Sequence, residues 1–237
     1  MADTDLFDAI KTVYTRMARA AIKAARDLTA VRLVAVTKEV SAGRVVDAID
    51  NGLREFGESR VQIAREKIPV VREMTGVESL TWHCIGHLQK NKVKTAVELF
   101  DLIHSIDSVE LASLVNEQAT RSGKIQRVLV EVNLAREESK HGMGKDKVIN
   151  LLEAADWMKN LQVEGLMTIP PFFVDPEKTR PYFSELRDLR ENIEARGFVM
   201  KELSMGMSND FEIAIEEGAT IVRVGTALFG ERRKEAA

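Results

Sequence analysis

The chain has 237 residues, 45% hydrophobic and 30% charged, the balance of a folded protein with a real core and enough chain for one α/β barrel or two smaller domains. Its 34 Lys and Arg against 37 Asp and Glu leave a net charge of −3, which argues against a nucleic-acid binder that works through bulk positive charge. One cysteine, Cys84, precludes an intrachain disulfide. No stretch approaches the roughly 18–20 consecutive apolar residues of a membrane span.

The opening "MADTDLFDAIKTVYTRMARAAIKAARDL" is charged throughout and reads as a leading helix over about 1–28, not a signal peptide. Short apolar, β-rich runs then alternate with longer amphipathic ones. "VRLVAVTK" (31–38) precedes a helix with Ser41 as its N-cap and Gly52 as its stop. "REFGES" (54–59) precedes "VQIAREKIPVVREM", "TWHCIG" (81–86) precedes "KNKVKTAVELF", and "DLIHSID" (101–107) precedes "SVELASLVNEQATRSG". "QRVLVEVN" (126–133), "LQVEGLMTI" (161–169), "KELSMG" (201–206) and "TIVRVGTALFG" (220–230) complete the strands; the sixth leads through "TIPPFFVDP" into a helix from about Glu177 to Arg196, ended by Gly197.

Eight strand–helix units predict a parallel sheet with helices outside. The expected fold is a single-domain α/β protein, a TIM (β/α)8-like barrel over about 31–230 with an extra N-terminal helix and a 231–237 tail. A doubly wound open sheet is the alternative that periodicity leaves open.

In a barrel the chemistry sits at the carboxyl ends of the strands. Those ends carry Thr37-Lys38, Gly57-Glu58-Ser59, Gly86-His87, Asp107-Ser108, Asn133, Thr168, Met205-Gly206-Met207-Ser208 and Arg223-Val224-Gly225-Thr226. A lysine, an arginine and several hydroxyl or small residues in one mouth suit a small anionic ligand. Lys38 is either a desolvated amine able to form a Schiff base or a lysine that snorkels to solvent. "SMGMSND" (204–210) is either a phosphate-binding turn or a turn in which Ser208 or Asn209 caps the next helix. Arg223, inside an apolar strand, needs a phosphate, a carboxylate or a ring nitrogen as its partner. His83 and His87 are four apart but straddle a strand end and Gly86, so no metal site is expected.

"AVTK", "FGESRVQ", "WHCIGHLQKNKVK", "SIDS", "VEVN", "GLMTIP", "LSMGMSNDFEIAIEEGAT" and "VRVGTALFG" follow in order over about 33–230. Together they resemble the pyridoxal phosphate homeostasis proteins. The resemblance implies a barrel similar to that of alanine racemases and bacterial ornithine decarboxylases, with pyridoxal 5′-phosphate held as a Schiff base. It implies Lys38 as the Schiff-base lysine, Met207 and Ser208 as the phosphate turn, Arg223 directed at the pyridine nitrogen, and Gly225 with Thr226 as the second half of the phosphate cup. Ser59 stands where the family usually has an asparagine, and being shorter would reach the cofactor through water. Cys84 and Lys90 are further departures that remove no anchor.

Two function classes follow. The first is a cytoplasmic carrier or regulator of pyridoxal phosphate and amino-acid balance, expected as a monomer, with the cofactor, amino acids and cofactor-requiring apo-enzymes as partners. The second is a racemase or decarboxylase on the same barrel. An arginine at the ring nitrogen cannot hand over a proton, so the ring is a weaker electron sink. Racemases also use a tyrosine base from a second domain. This sequence ends seven residues past "LFG", and Tyr14 and Tyr182 fall in predicted helices. The carrier is therefore the favoured expectation.

Overall fold

The computed structural model describes residues 3–135 and 141–230; the expected 231–237 tail lies outside them. Helix α1 (Asp3–Lys23) leads into β1 (Arg32–Val36), α2 (Ala42–Asp50), β2 (Glu55–Glu58), α3 (Val61–Thr75), β3 (Thr81–Cys84), α4 (Val93–Leu99) and β4 (Leu102–Ile106). The chain continues through α5 (Val109–Arg121), β5 (Gln126–Glu131), α6 (Val148–Ala155), β6 (Leu161–Met167), α7 (Arg180–Glu194), β7 (Glu202–Ser204), α8 (Phe211–Glu216), β8 (Ile221–Val224) and a last helical turn, α9 (Thr226–Phe229). The strands close in chain order into a barrel, and the parallel pairing of β1 with β8 (Val34 opposite Arg223, Ala35 opposite Val224) rules out the open sheet.

Local chemistry sets the element ends. Ser41 Oγ accepts from the Arg44 amide and Ser108 Oγ from that of Leu111, so both serines cap as their type predicts. Strand β8 stops at Val224, and the "TALF" of the apolar run turns helical instead of extending the strand. The helix expected from Glu177 begins as a 3-10 turn over Pro176–Thr179 and becomes α-helical at Arg180.

Strand alternation divides the core in two. Val34, Leu102, Leu129, Met167 and Ile221 fill the barrel interior. The larger cluster, with Phe56, Trp82, Ile103, Val128 and Leu203, lies between strands and helices. Helix α1 buries Leu6, Ile10, Val13, Met17 and Ala21 at helical spacing, and Arg16 clamps α8 through two 2.7 Å bonds to Glu212.

Between β6 and β7 the backbones approach closely at Gly165: a Cβ there would lie 1.9 Å from the Glu202 carbonyl oxygen. Gly165→Ala should therefore cost roughly 3 kcal/mol or more, read as a lower urea midpoint at unchanged slope.

Candidate functional site

The mouth is built where β7, β8, β1, β2 and β3 end side by side. β1 stops at Val36, so Lys38 lies just beyond the strand in a turn, exposed to solvent. That turn is tied down from behind. The Thr37 amide donates to the Gly57 carbonyl at 3.0 Å, and its hydroxyl donates to Glu58 Oε1 at 2.7 Å. Lys67 of α3 donates to the Thr37 carbonyl at 2.7 Å and to Glu58 Oε1 at 2.6 Å. Lys67 and Glu58 are a buried pair, with side chains 9% and 1% exposed. Glu39, directly after Lys38, holds φ at 65°, a left-handed conformation that a non-glycine residue adopts at a cost. The amine therefore projects from an anchored, strained corner.

The "SMGMSND" turn resolves between its two readings. Gly206 has φ of 91°, and a Cβ there would lie 2.5 Å from that of Ala214, so glycine makes the turn. Asp210, not Ser208 or Asn209, is the N-cap of α8; its carboxylate accepts from the Met207 amide at 2.6 Å. Asn209 instead donates to the Phe173 carbonyl at 3.0 Å. Ser208 reaches across to the next strand end, where its Oγ accepts from the Gly225 and Ala227 amides, each at 3.2 Å. Two backbone donors thus converge on one oxygen, a donor set that fits a phosphate oxygen equally well. Gly225 packs on Val36 of β1, 3.3 Å from where its Cβ would be to that of Val36. Met207 and Ser208 after β7 thus lie beside Gly225 and Thr226 after β8, next to the strand that leads to Lys38, with Thr226 exposed.

Arg223 is 3% exposed. It donates to Ser204 Oγ and, at 3.1 Å, to the Thr168 carbonyl. Both acceptors are neutral, and among the described residues no carboxylate forms an ion pair with it. Burial brings the guanidinium down to about 10, with Glu131 and Asp210 pulling the other way, so it stays cationic at neutral pH. Ser59 follows β2, half-buried, with its carbonyl oxygen 2.3 Å from where a Gly86 Cβ would be; Gly86 is what lets β2 and β3 end this close.

Sequence reasoning missed several groups. His83 is fully buried, whereas His87 is in the mouth loop, so the two do not share a face. His83 meets His104 instead, with Nδ1 and Nε2 2.9 Å apart. His87 stacks on His141, ring centroids 3.8 Å apart and planes 9° apart, and its Nδ1 lies 3.5 Å from Asp107 Oδ2. These three residues are close enough to hold a cation, but stacked rings keep their in-plane lone pairs in two parallel planes, so both cannot point at one ion. Cys84 is buried, which pushes its thiol up to about 12 and leaves it unreactive at neutral pH.

Glu131 ends β5, 7% exposed, with Oε2 lacking a hydrogen-bond partner among the described residues. Burial pushes its carboxyl from 4.5 up to about 7, Asp107 adding and Arg223 opposing. The folded state thus holds this proton where the unfolded chain has lost it, and stability falls as pH rises from about 4.5 to 7. Glu131→Gln should flatten that slope and stabilise the protein at pH 8 by up to about 3 kcal/mol, as measured by urea unfolding between pH 4 and 8.

The "Alanine racemase, N-terminal domain" family profile matches residues 9–233. A pyridoxal phosphate homeostasis protein of Aquifex aeolicus is 41% identical over 225 residues, covering 94% of this chain and 97% of that protein. The chain belongs to the pyridoxal phosphate homeostasis family. The human member is 40% identical over 236 residues, covering 94% and 86% of the two chains. PipY of Synechococcus elongatus, solved with PLP bound, superposes with a TM-score of 0.79 at 36% identity, over 91% of this chain and all of that one (100%). An alanine racemase of Clostridium difficile, 15% identical with a TM-score of 0.70 over 94% of this chain and 60% of that one, shares the fold. Among the described residues no helix of this family member is long and apolar enough to cross a membrane.

Proposed function

We propose that this chain binds pyridoxal 5′-phosphate in the barrel mouth and serves its homeostasis as a cytoplasmic carrier or buffer. The observation that carries the reading is the pairing, on adjacent strands, of two unlike recognition elements. One is a set of amides converging on an oxygen at Ser208. The other is a buried arginine whose two hydrogen-bond acceptors, Ser204 and Thr168, are neutral. Together they suit a ligand with a phosphate at one end and a pyridine nitrogen at the other. Met207, Ser208, Gly225 and Thr226 would hold the phosphate, Arg223 would donate to the ring nitrogen, and the Lys38 amine would bond to the aldehyde carbon. Ser59 would reach the ligand through a water molecule. When bound, the cofactor supplies an electrophilic aldehyde and an electron-withdrawing ring.

The chain's own residues favour holding over turnover. Arg223 keeps the ring nitrogen hydrogen-bonded but unprotonated. The two tyrosines lie on outer helices, Tyr14 on α1 and Tyr182 on α7, where neither replaces a base on the far side of the ring. An exposed lysine at the mouth suits release to cofactor-requiring apo-enzymes, and a monomer suits such traffic.

Titrating the purified protein with pyridoxal phosphate tests this. A saturable yellow band with one equivalent bound is expected; no band and no binding by calorimetry would overturn it.

A further inference from the structure

Below Arg223, a line of hydrogen-bonding groups crosses the barrel interior. Arg223 Nη1 donates to Ser204 Oγ, which lies 2.9 Å from His104 Nδ1. His104 Nε2 lies 2.9 Å from His83 Nδ1, where the hydrogen-bonded line ends; His83 Nε2 lies 3.1 Å from Glu55 Oε2, close enough for electrostatic attraction but without the geometry of a hydrogen bond. Ser204, His104 and His83 are each 0% exposed, so water cannot substitute for the links among them. The charged far end is locked in turn: Arg32 lies 3.4 Å from Glu55 and 3.0 Å from Glu202.

The chemistry of the groups allows one proton order. The ionised Glu55 oxygen 3.1 Å away attracts a hydrogen and repels a lone pair, so the His83 Nε2 beside it carries the hydrogen. A neutral His83 then has a lone pair on Nδ1, which requires the hydrogen of His104 on Nε2. The His104 Nδ1 lone pair in turn receives the Ser204 hydroxyl hydrogen. The Ser204 oxygen is left with lone pairs, and Arg223 donates into one of them. Neutrality of both rings follows from their surroundings. Burial lowers His104 well below its ordinary value, with His83, Arg223, Arg32 and Arg127 adding to the effect. Burial likewise lowers His83, against the opposing pull of Glu55.

We propose that Ser204, His104 and His83 are positioning residues for Arg223: a one-way hydrogen-bond chain ending at His83, beside the Glu55 carboxylate, that fixes the guanidinium and, through it, the hydrogen bond to the ring nitrogen of bound pyridoxal phosphate. The proposal rests on the assignment of Arg223 to that nitrogen. It explains why an apolar barrel interior carries two fully buried histidines that touch no part of the mouth. Ser204 has a second effect. Its hydroxyl hydrogen is already committed to His104, so the oxygen cannot rotate to offer Arg223 a donor.

The test has two arms. In cofactor-free protein with 15N-labelled histidine, two-bond proton–nitrogen correlation spectra at pH 7 should show His83 and His104 as neutral Nε2–H tautomers. The His104→Gln variant assigns the signals. A cationic ring or an Nδ1–H tautomer at either residue overturns the chain. The second arm loads protein with pyridoxal phosphate labelled with 15N in the ring. Ser204→Ala should move the ring-nitrogen signal toward that of an unbonded pyridine and weaken binding about tenfold. Ser204→Thr, which keeps the hydroxyl, and His104→Gln, which can accept at one end and donate at the other, should both stay near wild type. If Arg223→Gln shifts the signal and Ser204→Ala does not, the positioning role fails. If Arg223→Gln leaves the signal unmoved, the assignment of Arg223 itself fails, and the tautomer result still decides whether the chain exists.

Discussion

Lys38→Ala should leave the protein folded and able to take up pyridoxal phosphate, yet without the aldimine band and unable to retain it through dialysis or denaturation. The side chain is exposed and lies in a turn held from behind by Thr37, Glu58 and Lys67, so removing it breaks no packing. What it removes is the amine that bonds to the aldehyde. Phosphate and ring contacts persist, so non-covalent affinity remains. The expected result is loss of the visible band with a wild-type melting temperature. A full-strength band in Lys38→Ala would place the covalent link on another lysine. Lys67 is a poor substitute, since its ammonium is buried against Glu58.

The second large effect lies in the cup. Ser208 Oγ accepts from the amides of Gly225 and Ala227, which leaves its hydroxyl hydrogen free to donate to a phosphate oxygen, and Thr226 offers a second hydroxyl at the same strand end. Removing both, in Ser208→Ala with Thr226→Ala, should weaken pyridoxal phosphate by one to four decades, at roughly 1.5–3 kcal/mol for each hydrogen bond to a charged group. Binding should weaken and not vanish, because the amides remain and the serine oxygen no longer occupies them. Calorimetry with pyridoxal phosphate and with pyridoxal separates the cases. Pyridoxal should be nearly indifferent to the pair of substitutions; equal loss for both ligands would mean that the cup does not hold the phosphate.

The barrel was legible because strand and helix periodicities are local. Each apolar run from "VRLVAV" to "TIVRV" holds a strand, whereas closure is seen only in the pairing of β1 with β8. The runs overestimate strand length where apolar residues continue into turns: "KELSMG" yields only Glu202–Ser204, since Gly206 takes a conformation no strand contains. Lys38 was likewise read as a strand end and lies in the turn beyond it. The candidate site residues came from position at strand ends together with the resemblance of their motifs to the family. What the sequence hid is long-range. Nothing near Ser208 says that its hydroxyl bonds to amides seventeen and nineteen residues on. The contacts of His83 with His104 and of His104 with Ser204 join strands 21 and 100 residues apart. In "TWHCIG", alternation marks His83 as inward-facing, which was the one available signal for the interior chain; the pairing with His87 four residues on drew the reading elsewhere.

The most direct measurement is to reduce the protein–cofactor complex with borohydride, digest it and map the pyridoxyl group by tandem mass spectrometry. The account predicts a single modified peptide, with the added mass on Lys38. The pyridoxyl group on any other residue, or spread over several surface lysines in proportion to their exposure, would contradict it.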